Sequence, residues 1–326
     1  MRAVVFYEHG GADVLRYETD WPEPALRAGQ ARLAVKAVAL NHLDIFVRRG
    51  MPAIHTELPH ISGGDVAGVV LEVGEGVDPA LVGQRMLLDP KLPQGAFGEH
   101  TQGGMCEQVC VPAGNLVPIP DGVSFEAAAA LPIAYGTAWR MLIRRGRVSA
   151  GEQVLVLGAS GGVGTACVQI AALAGCVVYA AASSDEKLQK LRTLGAHHLI
   201  NVQRENFSAA VWRLTERRGA DVIVDYSGRD TWPGSIRALG QGGRLLTCGA
   251  TSGYEAVTDL RYVWAREQTI VGCNGWDRDG IEALLELVGA KKIVPVIDRV
   301  LPLEQARGAE EAIERREIFG KVILKP

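Results

Sequence analysis

The chain has 326 residues, of which 48% are hydrophobic and 22% are charged, and its formal net charge is −3. This length accommodates two domains with sizeable cores, and the composition is that of a folded globular protein. A small negative charge gives no bulk attraction to nucleic acid or to an anionic membrane surface, so we expect neither as a partner. No apolar run approaches the length of a bilayer span, no signal-peptide core precedes Glu8 and His9, and the six cysteines show no disulfide framework. Together these features favour the cytoplasm.

The first 120 residues are rich in Val, Gly and Pro and predict short strands joined by turns. The clearest strands are residues 2–7, 31–39, 68–73 and 108–111. A turn rich in proline and glycine then precedes a helix predicted over residues 124–131, for which Ser124 is a suitable N-cap.

Residues 153–164 carry the most specific local signal in the chain. A short apolar run at 154–157 is followed by a glycine-rich turn, and apolar residues then resume at helical spacing. This pattern predicts a strand, a tight turn and the start of a helix, whose unobstructed N–H groups can receive a pyrophosphate. The predicted cofactor contacts of this turn are Ser160, Gly161, Gly162, Val163 and Gly164.

Strands and helices alternate from this turn onwards. Further strands are predicted over 177–182, 198–201, 222–225, 244–248 and 269–271, and helices near 163–174, 184–194, 206–217 and 231–239. Six strands with intervening crossovers predict a doubly wound parallel sheet. A helix near 305–315 and a last strand over 320–324 depart from this alternation, which predicts that the chain returns to its first domain and that this domain is discontinuous. We expect a dinucleotide-binding domain over 123–275 and a second domain over 1–122 and 276–326.

Motifs spread over essentially the whole chain resemble the medium-chain dehydrogenase/reductase superfamily and, within it, the zinc-independent NADPH:quinone oxidoreductase branch. These motifs are residues 1–4 with 10–15, 40–44, 63–70, 137–139, the glycine turn, 225–228 and 319–322. Each motif is moderately specific, whereas their order and spacing together are highly specific. The resemblance implies an α/β Rossmann domain, a GroES-like β-barrel domain and a cleft between them. It also implies a homodimer formed through the sixth strand near residues 269–274.

The end of the second strand bears on the choice of nicotinamide cofactor. NAD sites usually carry an acid there for the ribose hydroxyls, but this strand ends at Ser183 and Ser184, with Lys187 one helical turn later. Hydroxyls and a lysine suit a 2′-phosphate, which favours NADP(H). Two alternatives stay open. Ser183 and Glu186 form a capping box beside a solvated Lys187, or Asp185 supports NAD.

The resemblance and the switch-point geometry of such sheets imply further cofactor contacts after the later strands. For two of these residues an alternative stays open: Cys273 is a packed apolar side chain, or Lys321 is a solvated lysine before an edge strand. The implied contacts are Ser227, Gly249, Ala250, Thr251, Cys273, Asn274 and Lys321.

Zinc alcohol dehydrogenases resemble the chain but hold a catalytic zinc at two positions that are here Asn41 and Gly64. Glycine has no ligand atom, and an amide is a poor substitute for a thiolate. Residues 89–104 lack the cysteines of a structural zinc lobe, and Cys106 and Cys110 fit a strand better than a metal site. Four histidines have no spacing that demands a site: His42, His55, His60 and His100. We expect no metal.

Without a Lewis acid, alcohol oxidation is disfavoured, and hydride delivery from NADPH to a quinone or related α,β-unsaturated carbonyl remains accessible. Hydrogen bonds at the developing oxyanion would lower the barrier. Asn41 is our candidate for a polar group facing the nicotinamide or the substrate oxygen, unless it is a turn residue. Asp44 orients Asn41 or caps a helix over 44–49. Thr137 is implied to lie near the nicotinamide, or is an ordinary helix residue. Tyr135 is a candidate proton donor or a half-buried aromatic, and we expect solvent to supply the proton.

Two other functions stay open. An enoyl-thioester or enal reductase would share the fold and cofactor, and would use basic residues at the mouth of the cleft. Candidates for these are Arg48, Arg49, Arg144 and Arg145, unless they are solvated surface charges. A non-catalytic NADPH-binding protein is the other possibility, favoured slightly by the absence of tyrosines shortly after Asp44.

Overall fold

A computed structural model describes residues 1–52 and 55–326 of the chain. It forms two compact units: unit 1 is Met1–Ile133 with Ile281–Pro326, and unit 2 is Ala134–Gly280. The expected domain range 1–122 includes residues 53 and 54, which lie outside the described residues, and the expected domain limits stay predictions. Among the described residues, no helix is both long and apolar enough to cross a membrane.

The first part of unit 1 is built mainly from strands. A hairpin of β1 and β2 precedes the long strand β3, in which buried residues alternate with half-exposed ones because successive side chains leave opposite faces. Ser124 caps α2 as predicted, its Oγ accepting the Ala127 N–H at 3.1 Å. The elements are β1 Ala3–Val5, β2 Arg16–Glu18, β3 Gln30–Ala39, α1 His42–Arg49, β4 Asp65–Val73, β5 Arg85–Leu88, β6 Lys91–Leu92, β7 Gly95–Ala96, β8 Gln108–Pro112, β9 Leu116–Pro118 and α2 Phe125–Ala129.

Unit 2 alternates strands and helices. The chain passes through π-helical turns at Leu131–Tyr135 and Arg140–Arg145 before the first strand of the sheet. The elements are α3 Gly136–Trp139, β10 Gln153–Val156, α4 Gly162–Leu173, β11 Val177–Ala182, α5 Asp185–Thr193, β12 His198–Asn201, α6 Phe207–Leu214, β13 Ala220–Val224, α7 Trp232–Ala238, β14 Leu239–Thr247, α8 Leu260–Ala265, β15 Thr269–Gly272 and α9 Arg278–Gly289, which ends in unit 1.

The strands of unit 2 form one parallel sheet in the order β12-β11-β10-β13-β14-β15. The order reverses direction at β10, so the predicted doubly wound sheet is confirmed. Its central strand β10 is buried along its whole length, as the continuous apolar run at 154–156 requires. β14 begins at Leu239 rather than at 244, because Leu239 already pairs with Ala220 before the register shifts.

The chain then returns to unit 1 with β16 Ile297–Pro302, α10 Ala306–Glu314 and β17 Lys321–Lys325. β17 pairs antiparallel with β3, so the C-terminal strand joins the sheet begun by the N-terminal segment. The sheet has the order β16-β17-β3-β4-β5-β9, with β8 also paired to β3. The α10 helix packs its apolar residues into the same core, and the predicted discontinuity of this part of the fold follows from that return.

Candidate functional site

Unit 1 contains a buried polar cluster, called here the Asn41 cluster, made by Asn41, Asp44, Asp65 and Lys321. Asn41 lies just past the end of β3, Asp65 begins β4, and Lys321 begins β17. Because β3 pairs antiparallel with both β4 and β17, the end of β3 meets the starts of the other two strands. Sheet register thus collects an amide, two carboxyl groups and an ammonium in one place.

Lys321 is only 2% exposed. Its ammonium donates to the Leu40 carbonyl at 2.8 Å, to Asn41 Oδ1 at 2.5 Å and to Asp65 Oδ2 at 3.3 Å. All three donors of the ammonium are therefore engaged within unit 1. The alternative of a solvated lysine is wrong, because burial and these partners hold the side chain inside; the assignment of Lys321 to the cofactor stays a prediction.

The Asn41 amide is held at both ends. Its Nδ2 donates to Asp65 Oδ2 at 2.9 Å and to the Ala39 carbonyl at 3.2 Å, while its Oδ1 accepts from Lys321. A carboxylate on one end and an ammonium on the other leave one orientation for the amide. Both N–H groups are used and Oδ1 is engaged by Lys321, so the amide has no donor left for a ligand.

Asp44 serves the start of α1 in a different way from the one expected. The helix begins at His42 with Asn41 as its N-cap, so the alternative of Asp44 as the cap of a helix over 44–49 is wrong. Asp44 lies one helical turn in, where its carboxylate accepts the N–H groups of Asn41 at 2.7 Å and of Gly63 at 3.0 Å. This is the acidic half of a capping box, and it ties α1 to the segment before β4.

Burial sets the electrostatics of the Asn41 cluster. It raises the pKa of Asp44 to about 7 and also raises the pKa of Asp65, and it lowers the pKa of Lys321. In each case the charged form loses hydration that its hydrogen bonds replace only in part. Asp65 was not among the predicted site residues, although its charge at the start of an apolar run is a signal that could have been used.

Gly64 is enclosed. A Cβ added at this position would lie 2.8 Å from Ile133 Cδ1 and 3.1 Å from the Phe97 carbonyl oxygen. Side chains larger than hydrogen therefore require the surrounding residues to move. In the part of the chain that the structure describes, no group of three or more His, Cys, Asp or Glu side chains is arranged to hold a metal ion.

Arg48 is fully buried in unit 1. Its guanidinium binds Glu310 at 2.6 Å, Glu314 at 2.8 Å and the Gly10 carbonyl at 2.6 Å. The proposal that Arg48 lies at the mouth of a substrate cleft is wrong, because these contacts and its lack of exposure make it a structural link between α1 and α10. Arg49 is exposed.

In unit 2 the predicted glycine turn connects β10 to α4. Gly161 is the N-cap of α4, and a Cβ added to it would find its nearest atom 3.7 Å away, which leaves room for a ligand. Gly164 is different, since a Cβ there would lie 2.5 Å from the Gly158 carbonyl oxygen. Tyr226 closes the back of the turn by donating its hydroxyl to that carbonyl at 2.8 Å. Ser160 and Gly161 through Gly164 thus lie where the prediction puts them, at the start of a helix.

The end of β11 lacks an acid, as the sequence shows, and its details differ from the expected capping box. Ser184, rather than Ser183, caps α5, with its Oγ accepting the Lys187 N–H at 3.3 Å. Glu186 binds Lys190 at 2.8 Å instead of turning back to the cap. Ser183 is exposed. The alternative of a capping box formed by Ser183 and Glu186 is therefore wrong, because the N-cap is the next residue, Ser184.

Asp185 is engaged by two neighbours that sequence reasoning missed. One carboxylate oxygen accepts from Asn201 Nδ2 at 2.6 Å, and the other lies 2.7 Å from a guanidinium nitrogen of Arg204. Both partners lie at or just after the end of β12, the strand next to β11. An exposed arginine consequently stands beside the acid nearest to the end of β11, and its position after the neighbouring strand was the signal available.

The loops after β13 and β14 interlock at the carboxyl edge of the sheet. Buried Asp225 accepts from the N–H groups of Ser227 at 3.0 Å and Gly228 at 3.2 Å, and the Thr251 N–H donates to the Tyr226 carbonyl at 3.2 Å. These bonds bring together four of the predicted cofactor contacts: Ser227, Gly249, Ala250 and Thr251.

The remaining predicted residues of unit 2 differ in exposure. Cys273 is buried, donates its N–H to the Thr247 carbonyl at 2.8 Å and has a thiol whose pKa is raised by burial, while Asn274 beside it is exposed. Thr137 is buried in α3, and buried Tyr135 accepts a hydrogen bond from Gln169 at 3.1 Å. Asn41, Asp44 and Lys321 therefore come together in unit 1, and the other predicted site residues belong to unit 2.

Known proteins resemble the chain along its whole length. A family described as the alcohol dehydrogenase GroES-like domain matches residues 27–121, and one described as zinc-binding dehydrogenase matches residues 162–290. Quinone oxidoreductase of Rattus norvegicus is 32% identical over 331 residues, which cover 99% of this chain and 97% of that protein.

Two solved structures extend the comparison. An NAD-dependent alcohol dehydrogenase superimposes with a TM-score of 0.95 at 38% identity, with 100% of both chains covered. A 2-octenoyl-CoA carboxylase reductase in complex with NADP and 2-octenoyl-CoA superimposes with a TM-score of 0.87 at 27% identity, covering 96% of this chain and 82% of that one.

Proposed function

Since the chain belongs to the medium-chain dehydrogenase/reductase superfamily and is quinone oxidoreductase-like, we propose that it reduces quinones or related α,β-unsaturated carbonyls with NADPH and without a catalytic metal. The family binds a nicotinamide cofactor and performs oxidation and reduction. Whether a metal takes part, which form of the cofactor binds and which acceptor is reduced depend on this chain's own residues.

The observation that carries the proposal is the state of the two positions where zinc relatives place ligands. At one, the ammonium of Lys321 lies 2.5 Å from Asn41 Oδ1, so a cation already occupies the oxygen that a metal would need. At the other, Gly64 offers no ligand atom and has no room for a Cβ. A second cation beside Lys321 would be repelled, and three good protein ligands are lacking for a zinc site among the described residues. A reaction that needs no Lewis acid is thereby favoured.

The residues of the glycine turn fit a dinucleotide. A Cβ added at Gly161 would make only an ordinary van der Waals contact, and the start of α4 would offer its backbone N–H groups to a pyrophosphate. When bound, NADPH supplies a hydride. The interlocked loops after β13 and β14 would hold the ribose and nicotinamide portions through Ser227, Gly249, Ala250 and Thr251, together with Cys273 and Asn274 after β15.

The preference for NADPH rests on the end of β11, because the structural relatives include both an NAD-dependent enzyme and one bound to NADP. Asp185 could accept from the ribose hydroxyls of NAD only by releasing Asn201 and Arg204. Arg204 can instead face a 2′-phosphate, to which its planar fork is well suited. The hydroxyls of Ser183 and Ser184 and the cation of Lys187 would complete that site.

The Asn41 cluster would contribute to the site by the position of Asn41 and by the protonation state of Asp44. Lys321 and Asp65 hold the Asn41 amide in one orientation with both of its N–H groups engaged, so Asn41 would face the nicotinamide and would not donate to the substrate oxygen. Asp44, with a pKa raised to about 7, holds or releases a proton near neutral pH. Thr137 is proposed to lie near the nicotinamide. Solvent remains the proposed source of the proton that neutralises the reduced acceptor.

A second candidate is reduction of an enoyl thioester, which the likeness to the 2-octenoyl-CoA carboxylase reductase favours. Of the arginines considered for a thioester's phosphate groups, Arg48 is buried and unavailable, while Arg49, Arg144 and Arg145 are exposed. A non-catalytic NADPH-binding protein is the third candidate. Turnover distinguishes the enzymes from the binding protein, and the preferred acceptor distinguishes the first two candidates from each other.

We also propose a homodimer formed through β15. This strand is the last in its sheet, and Ile270 is 44% exposed on it. An exposed edge strand with an apolar side chain favours pairing with another copy of the same strand.

The test follows the absorbance of the reduced nicotinamide with protein treated with a chelator and then desalted. NADPH and NADH are each compared with a naphthoquinone, an enal and an enoyl-CoA as acceptors. NADPH oxidation that survives chelation, fastest with the quinone or enal, is the expected result. Activity only with the enoyl-CoA would establish the second candidate, and activity only after zinc is restored would overturn the metal-free reaction. Tight NADPH binding without turnover on any acceptor would leave the binding protein.

A further inference from the structure

Three arginines lie within four residues at the end of the π-helical turn that leads to β10: Arg144 and Arg145 are its last residues, and Arg147 follows it. With Arg244 of β14 they line one cavity of about 440 Å³ in unit 2, called here the arginine cavity. Its other walls are Gly146 and two residues of β15, Thr269 and Val271. A protein of net charge −3 thus concentrates four guanidinium groups around one concave surface.

The conformation of the main chain fixes where these side chains begin. Gly146 packs so tightly that an added Cβ would lie 2.6 Å from both Leu246 Cδ1 and the Met141 carbonyl oxygen. Arg147 has a φ of +48°, a left-handed conformation that is uncommon for a residue with a side chain. The close approach at Gly146 therefore fixes where the flanking arginines leave the main chain, beside β14 and β15.

Only part of this charge is compensated within the protein. Arg144 pairs with Asp279, and Arg244 binds Glu152 at 2.8 Å. No carboxylate among the described residues lies within ion-pair distance of Arg145 or Arg147. The Nε of Arg244 is also buried without a hydrogen-bond partner in the described part of the chain. The cavity therefore retains two positive charges and an unused donor.

We propose that the arginine cavity binds a small anion bearing phosphate groups. Guanidinium forks match phosphate oxygens in geometry and charge, and a ligand of this kind would neutralise the excess that the protein leaves. A volume of about 440 Å³ is within the size of small-ligand sites, roughly 300–1,000 Å³. The site contains no residue of the glycine turn or of the Asn41 cluster, and it adjoins the proposed nicotinamide contacts through Arg145, whose side chain hydrogen-bonds Cys273.

Isothermal titration with inorganic pyrophosphate tests this site on the full chain. The variant is Arg145→Gln/Arg147→Gln, and the control is Arg217→Gln/Arg218→Gln. The control removes two exposed arginines from unit 2 as well, and Arg217 shares the left-handed backbone of Arg147, with a φ of +64°. The two double variants thereby lose the same charge, and each replaces one residue of left-handed backbone conformation. Any binding of pyrophosphate at the glycine turn would have the same affinity in both variants.

We expect the cavity variant to bind pyrophosphate about tenfold or more weakly than wild type, and the control to retain affinity, since charge-assisted bonds to phosphate are lost only in the first. A parallel titration with a sugar bisphosphate distinguishes an inorganic ligand from a phosphorylated metabolite by which binds more tightly. Equal affinity of the two double variants, or no binding of either probe by wild type, would overturn the proposal. Because neither probe is a hydride acceptor, these results are independent of whether quinone reduction occurs.

Discussion

The two candidate sites of this molecule are built from different parts of a protein. The glycine turn of unit 2 is main chain from one continuous segment, and its ligand groups are N–H donors at a helix start. The Asn41 cluster of unit 1 is made of side chains, and the hydrogen bond from Lys321 to Asn41 joins residues 280 positions apart. The first site uses main-chain groups, and it needs glycine where two segments of main chain lie too close together for a Cβ. The second needs particular side chains and depends on strand pairing to collect them.

The largest effect that tests the difference between the two sites is expected from adding a side chain at Gly164, which lies against the main chain of Gly158 and Ala159. In Gly164→Val, the added side chain would collide with the backbone of Gly158 and Ala159, which cannot yield without moving β10 from α4. We expect NADPH binding, measured by fluorescence titration, to weaken by about 100-fold or more, with a lower melting temperature. The control Gly308→Ala adds a methyl group where nothing lies within 4 Å. Wild-type affinity in Gly164→Val would contradict the backbone-built site.

The counterpart in unit 1 is removal of the buried cation. Lys321→Met leaves Asp65 buried without its ammonium, and we expect the free energy of unfolding to fall by about 3–5 kcal/mol in denaturant titrations. Lys325→Met makes the same change on the same strand, but Lys325 is exposed and pairs with Glu126, so a loss below about 1 kcal/mol is expected. Adding Asp65→Asn to Lys321→Met should restore part of the loss. Equal losses for the two lysines would show that the cluster is not held by its charges.

The pH dependence of stability tests Asp44. Its pKa is raised from 3.8 to about 7 on folding, so between these values the folded state binds the proton more tightly than the unfolded state. This contribution to stability is present below pH 3.8 and is lost as pH rises through 7. Asp44→Asn should therefore reduce the fall in stability over this window by up to about 1.4 kcal/mol per pH unit.

Glu310 contributes with the same sign, because burial raises its pKa to about 7 as well. Stability curves of Glu310→Gln should therefore still show the part due to Asp44. Parallel curves for wild type and Asp44→Asn between pH 4 and 7 would mean that Asp44 ionises normally in the folded protein.

The smallest expected effect concerns the end of β11, where side chains add selectivity to the backbone-built site. Arg204→Gln should raise the KM for NADPH by about three- to tenfold and leave that for NADH unchanged, since the exposed charge proposed to face the 2′-phosphate is lost, NADH lacks that phosphate and Asn201 still holds Asp185. Arg192→Gln removes an exposed arginine of α5 and should change neither value. An equal rise for both cofactors would assign Arg204 a structural role.

The parts of the fold that are visible in the sequence are those encoded locally. The glycine turn and the strands over 177–182 and 198–201 were predicted with their observed bounds because apolar runs and turn residues mark them directly. Helix α9 was missed, although apolar residues at 281, 284, 285 and 288 have helical spacing and that signal was available.

Local sequence patterns do not show which residues that are distant in sequence come into contact in the fold. Asn41 and Asp44 were recognised from their own segment, but the role of Asp65 and the burial of Lys321 follow from the pairing of β3 with β4 and β17. Arg204 was overlooked for a similar reason, since it reaches Asp185 only because β12 lies beside β11. Arg48 was misread because an arginine looks solvent-exposed until the acids of α10 are placed around it.

The enclosure of Gly64 also bears on how such a chain could change during evolution. Replacing it with histidine, the ligand found in zinc relatives, would first need space from Ile133 and from the main chain at Phe97. Lys321 would still hold its charge against Asn41. A single substitution at Gly64 therefore does not create a metal site with the present packing intact. The surroundings of Gly64 and the pairing of Asn41 with Lys321 would have to change together.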